Sequence, residues 1–151
     1  MHVFRLIAVG IVLLTVMASN VLKKSLKKSL CGYSFNATGL RTKLDDFNSH
    51  FTAKDYDFIS ITETWLNDNI MDCEILKELD YVTYRRDRDA SISTKKDSDC
   101  TMCSVRNYLT SKRRRDLETP MEILWIEVLL SKFQSVFVGT VYIAPDTMMD
   151  M

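Results

Sequence analysis

The chain reads as an α/β fold, a mixed and mainly antiparallel sheet with amphipathic helices laid on it. Three observations predict this. A strand, a helix and a second strand follow one another between residues 31 and 66. Two β-rich runs, 122–130 and 135–143, are joined by a short polar turn and predict a hairpin. The apolar share of 46% and charged share of 26% are ordinary globular values that argue against wholesale disorder. At 151 residues the chain suits one domain with a real core.

The first strand covers residues 31–36, Cys31-Gly-Tyr-Ser-Phe-Asn36. After an Ala-Thr-Gly turn, Leu40, Leu44, Phe47 and Phe51 recur at helical spacing, with Arg41, Lys43, Asp45 and Asp46 facing outward. That pattern is an amphipathic helix packed on a sheet. His50 belongs to it as a surface histidine. The second strand is the apolar run Phe58, Ile59, Ile61, which breaks into Thr62-Glu63-Thr64. A buried strand that delivers a carboxylate to its C-terminal edge is written this way, although a solvated strand-end acid is written the same way. Strand–helix–strand order puts the two strand ends on one edge of a sheet, so Asn36 and Glu63 are expected at one cleft.

Further on, residues 67–80 read as mixed helix or loop, 81–84 as a strand, 90–99 as a polar loop and 100–108 as a poor strand. Residues 112–115, Lys112-Arg113-Arg114-Arg115, read as a basic loop. The hairpin core falls to Trp125, Ile126, Val128, Phe137, Val138, Val141 and Tyr142. Only 4 Gly and 2 Pro are thin for a fold that needs tight turns. Lys plus Arg equals Asp plus Glu at 20 each, so nucleic-acid affinity has to come from local patches. Four cysteines allow three disulfide connectivities. Cys100 and Cys103 have CxxC spacing, but no second pair or nearby histidine completes a zinc site, and incidental cysteines are favoured.

Residues 1–19 resemble a targeting segment, with His2 and Arg5 before an almost wholly apolar run from Leu6 to Ala18. The run falls short of the roughly 20 residues of a spanning helix, which favours a signal peptide over an anchor. It suggests a secretory or membrane contact. Residues 20–29 form a basic linker containing a Lys-Lys-Ser-Leu repeat, read as solvated or, less readily, as a phosphate- or lipid-touching arm. A domain at 30–145 and a tail at 146–151 complete the organisation.

The order of motifs resembles the endonuclease/exonuclease/phosphatase superfamily. Phe35-Asn36-Ala-Thr-Gly-Leu-Arg-Thr-Lys-Leu44 is similar to its opening Asn motif and first helix. Asp57-Phe-Ile-Ser-Ile-Thr-Glu63-Thr-Trp-Leu66 is similar to its metal-ligand motif, and residues 81–88 to the Tyr-Arg-Arg-Asp-Arg segment that follows. Glu122-Ile-Leu-Trp-Ile-Glu-Val128 and Gly139-Thr-Val-Tyr142-Ile-Ala-Pro145 resemble its next strands. The nearest variant is the endonuclease domain of non-LTR (LINE-type) retrotransposon polyproteins. The resemblance spans residues 30–145, about three quarters of the chain.

The resemblance implies the first half of a DNase I-like four-layer α/β sandwich, a nuclear or cytoplasmic setting, and Mg²⁺- or Mn²⁺-dependent cleavage of DNA phosphodiesters without a small-molecule cofactor. It implies Glu63 and Asn36 as metal-shell residues, Asn36 alternatively offering its NH₂ to phosphate, and Tyr142 as a hydrogen-bond donor to the scissile phosphate. Arg85, Arg86, Arg88, Lys112, Arg113, Arg114 and Arg115 would grip DNA backbone, with solvated loop charges as the plainer reading.

The departures are as informative. The family's Gly-rich turn is replaced by Asp97-Ser-Asp-Cys-Thr-Met-Cys103. Its later Asp/Asn motif and closing Asp-His pair would lie beyond Pro145, where this sequence has no counterpart. The expectation is a truncated, inactive copy in which the strand edge near Tyr142 is unpaired and its inner face exposed. A second reading is a small secreted glycoprotein, carried by the leader, the even cysteine count and the Asn36-Ala37-Thr38 sequon. A third is a DNA-binding remnant without cleavage.

Overall fold

The computed structural model describes residues 10–16 (backbone), 29–52, 54–67, 69–76, 80–87, 100–119 and 123–142. They form two four-stranded sheets and one α-helix. The first sheet runs β1–β8–β7–β6, where β1 is Gly10–Val16, β8 Gln134–Val141, β7 Ile123–Ser131 and β6 Thr110–Arg113. The second runs β2–β3–β5–β4, where β2 is Gly32–Asn36, β3 Phe58–Thr62, β5 Thr101–Arg106 and β4 Tyr81–Arg86. Only β2 and β3 are parallel, and α1 (Leu44–Thr52) joins them. The expected α/β class, mainly antiparallel with an amphipathic helix, is what the chain adopts.

The side-chain period of two divides the core between two layers. In β3, Ile59 and Ile61 face α1 and pack with Leu40, Phe47, Phe51 and Met102. Phe58, Cys103 and Val105 face the first sheet and meet Leu124, Ile126, Val128, Val136 and Val138. Strand β3 therefore has both faces covered and all five residues buried. Burying each isoleucine contributes about 1.5–3 kcal/mol.

Several elements differ from expectation. The strand edge near Tyr142 is not bare. Strand β1 pairs antiparallel with β8 from Gly10↔Val141 to Val16↔Ser135, within the segment expected to be a leader. The inner face of β8 is likewise covered, with Val138 fully buried. The poor strand expected at 100–108 is β5, flanked by β3 and β4 and buried from Thr101 to Val105. The basic run is not a loop, because Lys112 and Arg113 lie in β6 and Arg115–Leu117 form a 3-10 turn. Asp72–Glu74 form another 3-10 turn in the stretch left open between helix and loop. The departures at 97–99, the basic repeat at 20–28 and the tail at 146–151 lie outside the described residues. Among the described residues, no helix is long and apolar enough to cross a membrane.

Candidate functional site at one end of the sandwich

Strand register gathers the polar residues. Asn36 lies opposite Thr62, Thr62 opposite Thr101, and Thr101 opposite Arg86, so one row crosses the second sheet at a single end. Arg86 Nη1 donates to the Ile123 carbonyl at 2.9 Å. Ile123 lies opposite Val141, which places Tyr142 at this same end of the stacked sheets. The three residues singled out from sequence, Asn36, Glu63 and Tyr142, thus share one end of the molecule.

The loops after β2 and β3 are knitted together. Ala37 N donates to the Thr62 carbonyl at 2.9 Å, Gly39 N to Glu63 O at 2.8 Å and Leu40 N to Thr64 O at 2.8 Å. Thr64 N reaches the Cys100 carbonyl at 3.1 Å. Beside Thr38, itself left-handed at φ 45°, these bonds hold Glu63 at φ 51° and Trp65 at φ 53° in left-handed backbone. Neither residue type favours that region, and each such residue stores about 1–3 kcal/mol that surrounding contacts must hold. Gly39, at φ +88°, lies under the Trp65 ring, where an added Cβ would come within 2.6 Å of Cε3. That close approach is why glycine is needed there.

Glu63 is only 8% exposed, yet its carboxylate has no hydrogen-bond or ion-pair partner among the described residues. Asn36 Oδ1 accepts from Thr38 N at 2.9 Å and from Thr38 Oγ1 at 3.2 Å. A backbone N–H must meet the amide oxygen, so the NH₂ group is the one turned toward the row. There Asn36 Nδ2, Thr62 Oγ1 and Thr101 Oγ1 are three successive buried polar atoms without a hydrogen-bond partner. Buried polar groups are normally paired, which makes three in one row unusual. Two residues back along β3, Ser60 Oγ is paired with Thr140 Oγ1 at 2.5 Å, whereas Ser34 Oγ, opposite it on β2, is also without a partner. Thr62 and Thr101 were not singled out from sequence. Thr62 sits inside the recognised motif, but Thr101 depends on a register that no local pattern reveals.

The predicted basic grip is largely committed to the fold. Arg85 donates to the carbonyls of Ile70 at 2.6 Å and Asn67 at 3.0 Å and pairs with Asp72 and Asp87. Arg86 also holds the Thr119 carbonyl. Arg113 makes a two-pronged pair with Glu118 at 2.7 and 2.9 Å and donates to the Arg85 carbonyl. Arg114 bridges Asp116 and Glu127, and Lys112 reaches Glu127 at 3.2 Å while remaining 63% exposed. Arg115 is exposed on its 3-10 turn. Arg88 lies outside the described residues. Bound this way, five of the seven cations offer phosphate few free donors.

Among the described residues, no group of three or more His, Cys, Asp or Glu side chains is gathered to hold a metal. All four cysteines are free, Cys31 and Cys73 exposed and Cys100 and Cys103 buried. Burial pushes the Cys103 thiol up to about 12, against a smaller downward pull from Thr140. His50 packs against Phe51 and Tyr33 beside a cavity of about 280 Å³ under α1. No protein-family model matches the chain, and neither a curated protein nor a solved structure matches it.

Proposed function

We propose that the chain carries a Mg²⁺-dependent, retrotransposon-type DNA endonuclease fold whose described residues form a cation-and-phosphate site that does not cleave DNA. The observation that carries this reading is Glu63, a residue only 8% exposed whose carboxylate has no partner among the described residues, held in strained backbone at a strand end. Strain of this kind clusters at functional sites, and a hard divalent cation supplies the partner that an oxygen ligand of this sort wants. Glu63 would hold Mg²⁺ or Mn²⁺, and the ion would supply Lewis-acid stabilisation of phosphate charge.

Asn36 fits the second of its two sequence-derived roles. Its oxygen already accepts two hydrogen bonds, so its NH₂ suits a phosphate oxygen better than its oxygen suits a metal. Tyr142 would add a phenolic donor from the facing sheet. Among the described residues what is wanting is a general base. His50, the one histidine among the described residues, packs between aromatic rings of the α1 cavity.

Purified chain incubated with supercoiled plasmid and Mg²⁺ should leave the plasmid uncut. Mn²⁺ binding followed by electron paramagnetic resonance should be weak and lost in Glu63→Ala. Nicking that disappears in Glu63→Ala would overturn the inactive reading. Mn²⁺ binding unaffected by the substitution would overturn the site. The DNA-binding remnant is the weaker reading, since the arginine forks are spent on protein carbonyls and carboxylates.

A further inference from the structure

We propose that the β8 edge is a strand-accepting surface, that Gly10–Val16 closes it in cis as a structural strap, and that secretory processing of this chain would be incompatible with its fold. The inference does not depend on any nuclease ancestry.

The first observation is the pairing itself. Seven consecutive residues of β1 are in register with β8, from Gly10↔Val141 to Val16↔Ser135. With β1 in place, β8 lies between two neighbours. Without it, β8 would present a row of bare amides and carbonyls between Ser135 and Val141, flanked by Val136, Phe137 and Val138. Such an edge is a template for pairing with another chain. The composition of Gly-Ile-Val-Leu-Leu-Thr-Val16 suits the role, because Ile11, Val12, Thr15 and Val16 are β-branched and favour strand over helix. The core of a leader is marked by its apolar run, which strand residues supply equally. The same seven residues can therefore serve as part of a leader or as a strand, but not as both after cleavage.

The second observation is independent and lies on the other sheet. Asn36 of the Asn36-Ala37-Thr38 sequon is paired with Thr62 in the β2–β3 ladder. Its Nδ2, the atom that would carry a glycan, is buried. Its Oδ1 is held by Thr38, the residue that defines the sequon. Both sequence features that suggest secretion are thus absorbed into the sandwich, and the free state of all four cysteines agrees with that outcome.

The test uses the full chain. Hydrogen–deuterium exchange should show the amides of residues 136–140 protected together with those of 10–16. Placing proline at both Val12 and Leu14 should abolish that joint protection and lower the melting temperature by about 10 °C, because proline removes ladder donors. A protease site placed at residue 18 supplies the second arm, with the cut segment expected to co-elute with the body of the chain until denaturant is added. Offered to a purified oligosaccharyltransferase, the folded chain should be refused and the urea-unfolded chain glycosylated at Asn36. The strap is overturned if residues 136–140 exchange as an open edge in the intact chain, or if the cut segment separates at once with no change in melting. The incompatibility with glycan is overturned if the folded chain is modified as fast as the unfolded one.

Discussion

Strand β3 has an acid just outside each end, and the two acids are treated in opposite ways. Asp57, before the strand, is 1% exposed and well supplied with donors: Cys31 N reaches its Oδ2 at 2.7 Å and the Tyr108 hydroxyl its Oδ1 at 2.5 Å. Backbone bonds close the same corner, with Asp57 N on the Cys31 carbonyl and Arg106 N on the Asp57 carbonyl. Glu63, one residue past the other end, is also nearly buried, but its carboxylate has no partner among the described residues and its backbone is left-handed. Buried carboxylates are retained when they are hydrogen-bonded, so the first is explained by stability alone. The second is not, since no described residue meets its carboxylate. Burial alone therefore does not distinguish the two acids, whereas the supply of protein partners does.

The comparison can be broken by substitution. Asp57→Ala would remove the two charge-assisted hydrogen bonds that the buried carboxylate accepts from the Cys31 amide and the Tyr108 hydroxyl, so it should destabilise the chain by about 3 kcal/mol. A lowered urea midpoint with an unchanged slope would report this. The matching Glu63→Ala change should cost less than about 0.5 kcal/mol, since no protein contact is lost. Equal losses at both ends would remove the distinction. Gly39→Ala comes next, at about 2 kcal/mol, because its φ of +88° disfavours a side chain and the new Cβ would strike the Trp65 ring. Replacing Trp65 with Leu in the same chain should recover part of that loss. Glu63→Gly should go the other way, stabilising the chain by about 1 kcal/mol through relief of the left-handed backbone while removing Mn²⁺ binding. Stability gained together with binding lost would be a direct reading of strain held for function.

Local patterns carried much of this fold into view, and non-local partners account for what stayed hidden. The strand–helix–strand unit and the β7–β8 hairpin were legible because each is written in its own stretch, as helical spacing of Leu40, Leu44, Phe47 and Phe51 or as two β-rich runs about a turn. Strand β5 was obscure because both its faces are buried, so Thr101, Cys103 and Ser104 blur the alternation that marks a half-exposed strand. Strand β1 was not anticipated for a related reason. An apolar run near the N-terminus satisfies the pattern of a leader, and its pairing is with a strand more than a hundred residues away. At the site, Asn36 and Glu63 were legible as polar residues where apolar runs end. The left-handed φ of Glu63 and the Thr62–Thr101 pairing were not, since the first is held by the bonds from Gly39 N to Glu63 O and from Leu40 N to Thr64 O and the second is set by register.

A third kind of acid completes the comparison and gives the smallest expected effect. Glu118 and Glu127 sit under the basic run, each about 13% exposed at the side chain. For Glu118, burial pushes the carboxyl up, but the Arg113 fork and the nearby Arg86 outweigh it and hold the group below its usual 4.5. For Glu127, burial acts upward too and is outweighed by Arg114 and Lys112. A carboxyl whose folded pKa is depressed adds stability that is complete above its unfolded value and is lost as pH falls through the folded one. Stability from these pairs should therefore be flat above about pH 5 and decline below 4.5, by roughly 1 kcal/mol in all after allowance for solvent screening. Replacing Arg113 with Met should flatten the acid limb by about half and leave the neutral-pH melt little changed. An unchanged acid limb would mean that the arginine forks are not spent on these carboxylates in solution, and the basic run would regain its standing as a surface for phosphate.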